Sequence, residues 1–293
     1  NIIIDKAVNL IGIGRPVIDG GGKDNDEAAV FVCYLDNTAS GRVQGFRITG
    51  GGTGQYGHGL QISNCSPEIF DNHITDNKHA GIGIHGMKKF TKQTKVHNNT
   101  IYGNAIGISN GLGASGQIYD NTIYDNKITG IGIRGLATPT VKRNNIYRNY
   151  IGIGVREEAY PSLENNKIKD NVLGIVINPG IAAAAYAKKD RITIRNNFIY
   201  NNRQCGIFVS SLNKSNLSTL GNTISGSGNG SSRSGGAVIG YPHEALFQAL
   251  MNSNTLSGNN GRDIQQYKEL AETAGVIGSS NGRLPSFFGG KGQ

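Results

Sequence analysis

The chain has 293 residues, with 44 glycines, 7 prolines, no tryptophan and 37% hydrophobic residues, which is enough for one large domain. Glycine, asparagine and threonine are poor helix formers, which argues against a helical globule, and no apolar run reaches the roughly 18 residues a membrane span needs. Its 29 basic and 20 acidic residues give a formal charge of +9, which suits polyanions or simply a basic soluble protein, and does not choose between acidic polysaccharide, anionic envelope and nucleic acid.

The chain opens inside a strand-like phrase, "NIIIDKAVNLIGIG", which reads as a mature or truncated start, so a missing export signal says little. In "KDNDE" (23–27), Asp24, Asp26 and Glu27 supply oxygens either for Ca²⁺ or for a solvated turn. Cys33 and Cys65 fall on neighbouring turns of the repeat described next, where they could pair, leaving Cys205 single.

From residue 43 onward one phrase recurs every twenty-odd residues: "NNTIYGN" (98–104), "DNTIYDN" (120–126), "NNIYRN" (144–149). Its anchor asparagines are Asn72, Asn99, Asn121, Asn144, Asn166, Asn197, Asn222 and Asn254. Two residues after each stands Ile or Leu, from Ile74 to Leu256, with Ile48 in the equivalent place upstream. Three before come Ile69, Val96, Ile118, Val141, Leu163, Ile194 and Met251, with Val43 upstream; only the Asn222 turn breaks that column. A second asparagine follows five residues later, as at Asn77, Asn104 and Asn126, and each phrase closes on a Gly-Ile-x-Ile stretch such as "GIGIH" (81–85).

Stretches this short cannot bury an apolar side alone, but stacked copies form parallel strands about 4.8 Å apart with Ile-on-Ile ladders inside. Asparagine suits the corners because it tolerates a left-handed backbone and its amides can bond along the stack. The pattern predicts an all-β, right-handed parallel β-helix of about nine turns over 1–263, since a β-propeller needs repeats of about 40 residues.

The repeat "N-x-I-x-x-N-x-x-x-G-I-x-I" resembles that of pectin-lyase-like right-handed β-helix proteins, and the opening 22 residues look like the first turn of the subgroup with carbohydrate-active and NosD-like copper-accessory proteins. The resemblance implies an extracytoplasmic protein that often handles polysaccharide; it carries over no catalytic residue. Gly57-His58-Gly59 is similar to the Gly-His-Gly element of polygalacturonases, but their chemistry needs two carboxylates, and no Asp-Asp or Asn-Thr-Asp is present. His58 therefore reads as a surface variant of a glycine-rich corner. The Arg-x-Pro-x-x-Arg element of pectate lyases is also missing, because "RLPSFF" (283–288) lacks the second arginine.

Insertions gather after Gly-Ile-x-Ile, at 85–94, 178–190 and 240–252, and mark the functional face of a solenoid. The outward column there reads His85, Asn110, Arg134, Arg156, Asn178 and Ser210. Arg134 and Arg156 one strand apart repel unless an anion lies between them: either Glu157 or Glu158, or a bound uronate, sulfate or phosphate. Lys88, Lys89, Lys188 and Lys189 lie in loops beside this face. Another outward column contains Tyr102, Tyr124 and Tyr147, a strip that suits stacking on sugars, docking of a protein, or strand packing alone. His58, His73, His79, His85 and His97 could bind a metal if they converged, but their columns differ.

The periodicity of 264–275, with Ile264, Tyr267, Ala271 and Ala274 on one face, predicts a short helix capping the C-terminal end, followed by a Gly/Ser-rich tail over 276–293. The sequence thus points to an extracellular, cell-surface or periplasmic β-helix that binds an acidic polysaccharide, with or without cleaving it, through His85, Lys89, Arg134, Arg156, Glu157, Lys188 and the three tyrosines. Ca²⁺ is the one cofactor it suggests. No motif for nucleic acid is present, and a protein partner or self-association is expected at the N-terminal end or the tyrosine strip. The alternatives are a non-catalytic structural or adhesive module and a periplasmic metal-handling protein.

Overall fold

The computed structural model describes residues 1–22, 27–33, 41–54, 56–178, 191–209, 217–228, 238–240, 252–259 and 264–266. A complete turn contributes one strand to each of three parallel sheets, which among the described residues have 11, 9 and 10 strands. In a representative turn, Ala80–His85 lies in the first sheet, Lys95–His97 in the second and Thr100–Tyr102 in the third. Each pairs with the strand one turn on, so strand order follows the chain.

The predicted columns are the core. In the third sheet Ile48, Ile74, Ile101, Ile123, Ile146, Ile168, Ile199 and Ile224 stack in register and are all 0% exposed. The second sheet adds Val43, Ile69, Val96, Ile118, Val141, Leu163 and Ile194, and Thr219 continues the register where the sequence column breaks. Fully burying one such aliphatic side chain is worth about 1.5–3 kcal/mol, and stacking lets each turn bury the face of the next.

Two asparagine ladders run up the corners on either side of the third sheet. In one, the side chains of Asn72, Asn99, Asn121, Asn144, Asn166, Asn197, Asn222 and Asn254 are linked, each Nδ2 donating to the Oδ1 one turn on at 2.7–3.1 Å. Asn77, Asn104, Asn126, Asn149, Asn171 and Asn202 form the other. The left-handed residue is not the ladder asparagine but the one before it: Asp71, Asn98, Asp120, Arg143, Asn165 and Asn196 on one side, Asp76, Asp125, Arg148, Asp170 and Asn201 on the other, with φ between 52° and 59°. The corner residue points its side chain outward, and the next is turned inward to satisfy buried backbone groups.

Two expectations about the chain change. Ile264–Gln266 is a strand of the first sheet, paired in parallel with Val238–Gly240, so the stretch expected to start a capping helix starts as one more rung. Residues 267–293 lie outside the described residues. None of the three cysteines forms a disulfide, and Cys65 Sγ donates to the Val32 carbonyl at 3.3 Å instead of meeting Cys33.

Candidate functional site

The outer face of the first sheet holds the site. Its central outward column runs Ile3, Phe31, Gln61, Gly83, Ser109, Gly132, Gly154, Val176 and Phe208, one residue per turn. Large side chains stand at both ends, and the middle turns carry only hydrogen or a hydroxymethyl. That leaves a strip of low relief, and a Cβ on Gly132 would meet nothing closer than 3.9 Å.

Alongside runs the column containing Ser63, His85 and Gly111. Asn110 is not in it. Asn110 pairs in register with Ile84 and Ile133, which places it in the inward column, fully buried, with neither amide atom bonded among the described residues. In "GISNG" the asparagine stands in the second isoleucine place of the motif, so Gly111 is the residue beside His85. Arg134 lies one turn on with its stem against Gly111, where an added Cβ would be 3.3 Å from Arg134 Cγ. Arg134 and Arg156 follow the paired residues Ile133 and Val155, so they are neighbours on adjacent turns. Arg156 reaches Glu157 at 3.3 Å; no carboxylate among the described residues pairs with Arg134. Burial, opposed by Glu157 and assisted by Arg134, holds Arg156 below its ordinary range.

Three histidines converge beside these arginines. His58 and His79 stand with ring centroids 4.8 Å apart, and His58 and His85 5.6 Å apart. His58 is not a surface residue: it is 0% exposed. Room for its ring exists only because the next turn carries glycine, since a Cβ on Gly83 would fall 2.3 Å from His58 Cδ2 and 2.4 Å from Gln61 Oε1. Burial first, then the neighbouring imidazoles and Arg134, pushes His58 well below the usual histidine range. His79 is lowered by burial and Arg134, and His85 is pushed down to about 4 by burial, Arg134 and His79. All three are therefore neutral near pH 7. His73 lies on the third sheet and His97 on the second, stacked between Phe70 and Tyr119.

A cleft of about 500 Å³ opens at this end, lined by Ile3, Phe31, Tyr56, Gln61, Ser63, His85, Leu112 and Glu27, among others. Glu27 accepts from the Asn1 amide; Asp24 and Asp26 lie outside the described residues, as do Lys188 and Lys189. Among the described residues no group of three or more His, Cys, Asp or Glu is placed to hold a metal ion. Lys89 is exposed on the helix Lys88–Thr91 at the corner after His85, its Nζ 4.6 Å from the Phe90 ring centroid.

The tyrosines stand elsewhere. Tyr102, Tyr124 and Tyr147 line the outside of the third sheet and stack on one another, with centroids 5.0 and 5.1 Å apart and planes within 7°. Arg148 lies over Tyr124 and Tyr147 and Lys169 over Tyr147, so these ring faces already have partners. Sequence reasoning passed over Gln61 and Tyr56, and named His79 only among histidines whose columns differ. The available signal was register: "GLQIS" aligned on "GIGIH" puts Gln61 beside Gly83.

The sequence from 87 to 260 matches the model of the right handed beta helix region, and that from 2 to 163 matches a family described as proteins of unknown function (DUF1565). None of the curated proteins matches the chain. Among solved structures, a mutant of the periplasmic alginate epimerase AlgG superposes with a TM-score of 0.52 at 16% identity, over 82% of this chain and 59% of that one. The A-module of mannuronan C-5 epimerase AlgE6 from Azotobacter vinelandii gives 0.50 at 15% identity, over 88% and 83%. The chain thus spans less than two thirds of AlgG, and likeness at such identities is one of fold. With the right handed beta helix model matching more than half of its length, and its strands stacked in three parallel sheets, the chain belongs to the right-handed parallel β-helix family.

Proposed function

We propose that this protein binds an acidic polysaccharide along the outer face of the first sheet, outside the cytoplasm. The observation that carries this reading is Arg134: a guanidinium without a carboxylate partner among the described residues, beside a second arginine on the next turn and above a strip of Ser109, Gly132 and Gly154. Turns follow one another at about 4.8 Å, close to the advance per sugar of an extended 1,4-linked chain. A polymer lying along the solenoid axis would place successive carboxylates near successive arginines. The fold likeness to epimerases of alginate and mannuronan makes alginate the first polymer to try.

Binding to alginate and polygalacturonate at low salt tests the reading, with ultraviolet detection of unsaturated products run alongside. We expect binding that weakens with added salt, and a drop of about tenfold to a hundredfold in an Arg134→Ala, Arg156→Ala double variant, from the loss of charge-assisted hydrogen bonds. Unchanged affinity in that variant, or no binding to any anionic glycan, would overturn it. Binding without product would make the protein a binding module.

A further inference from the structure

Donors and acceptors whose identity is beyond choice fix the protons in the histidine group. The Ala80 backbone N–H donates to His58 Nδ1 at 3.3 Å, so that nitrogen is an acceptor and neutral His58 carries its proton on Nε2. His79 Nδ1, 3.1 Å from the same nitrogen, is then a donor. Gln61 Nε2 donates to the Ile62 carbonyl at 3.1 Å, which settles which end of that amide is nitrogen. The same Nε2 lies 3.2 Å from His85 Nδ1, which must therefore accept. The proton of neutral His85 is left on Nε2, a nitrogen buried without a partner among the described residues in a side chain that lines the cleft.

We propose that Gln61 is a positioning residue that holds His85 as its Nε2–H tautomer, so that the cleft wall presents a hydrogen-bond donor instead of a base. Together with Arg134 this makes the polar end of the site a set of donors, which selects a ligand group that only accepts: a carboxylate of the acidic glycan, over a neutral sugar hydroxyl. The specificity half of this inference rests on the acidic-polysaccharide reading; the tautomer half does not. The depressed pKa of His85, set by burial first and then by Arg134 and His79, agrees with a neutral ring that carries a single proton.

Long-range ¹H–¹⁵N correlation on protein labelled at histidine reads the tautomer directly, with His85 signals assigned by their loss in a His85→Asn variant. The unaltered protein at neutral pH should show His85 protonated on Nε2; protonation on Nδ1 overturns the proposal without any variant having to fold. In Gln61→Glu the new carboxylate accepts from Nδ1–H, so the proton should move to Nδ1; a spectrum still showing Nε2–H would also overturn it. Binding separates the two readings. An Nε2–H signal with no affinity for alginate refutes the polysaccharide reading and the specificity it supports. Nδ1–H with alginate binding intact refutes only the role given to Gln61. Equal affinity for alginate and a neutral dextran refutes donor-based selection.

Discussion

Replacing Asn121 with alanine should remove a large part of the stability of the solenoid, although no apolar contact is lost. The side chain is 1% exposed and takes part in five hydrogen bonds. Its Nδ2 donates to the Val96 carbonyl (2.9 Å), the Tyr119 carbonyl (3.0 Å) and Asn144 Oδ1 (2.9 Å), and its Oδ1 accepts from Asn99 N (3.1 Å) and Asn99 Nδ2 (3.0 Å). Asn99 Nδ2 keeps other acceptors, but the Asn99 backbone N–H loses the partner seen here, and two carbonyls lose a donor. At about 1–3 kcal/mol per buried group left unsatisfied, the three groups should cost about 3–9 kcal/mol, against total stabilities of about 5–15 kcal/mol for a domain.

Urea unfolding followed by circular dichroism measures this loss, and two further variants sharpen the test. Asn98→Gly, next door but exposed at φ 52°, should lie within about 0.5 kcal/mol of the unaltered protein. Asn121→Asp keeps the acceptor and turns the donor into an anion facing two carbonyls. That raises its folded pKa above the unfolded value of about 3.9, so the variant should be least impaired in acid and lose stability as pH rises through the folded pKa. An Asn121→Ala protein within about 1 kcal/mol of the unaltered one, with an Asp variant indifferent to pH, would refute the assignment of the ladder as a stabilising element.

Two shorter predictions concern the site face. Glu157 and Glu158 both occupy the left-handed region, at φ 52° and 58°, at the corner after Arg156. Glu158→Gly should therefore stabilise by about 1 kcal/mol, seen as a raised Tm, while Glu157 stays to pair with Arg156. Neutral, buried His85 has a folded pKa of about 4 against 6.5 for the free group, so its contribution is fully present above 6.5 and is lost as pH falls through 4. That loss is about 3 kcal/mol, and a His85→Asn variant should lack this part of the acid sensitivity in parallel unfolding curves.

The interior was legible because its rule is repetition. Any residue two after an anchor asparagine meets the same residue of the next turn, so Ile123 is buried by Ile101 and Ile146 whatever the loops do. The site was legible only in part, because it depends on residues brought together from different columns. Arg134 and Arg156 were placed as neighbours, whereas Asn110 was assigned outward by counting from a motif in which it replaces isoleucine. His58 was misjudged because its burial depends on the absent side chain of Gly83 and a ring contact with His79, twenty-one residues away. The tyrosine column was correct as a column, but a one-letter pattern does not say whether the rings face a ligand or each other.

The asparagine ladders have a consequence for how such a molecule can change. From Asn72 to Asn222 the corners between second and third sheets hold only two residues, as Asn98 and Asn99 do, and the second is bonded to neighbouring turns. An extra residue there would put the whole following turn out of phase. Among the described residues the corner after the first sheet carries no asparagine ladder, and between His85 and Lys95 it holds a helix. The ladders act as indexing pins: they return the chain to the same angular position after each excursion, so the site-bearing corner can lengthen or shorten freely while the frame that presents Arg134 and His85 stays fixed.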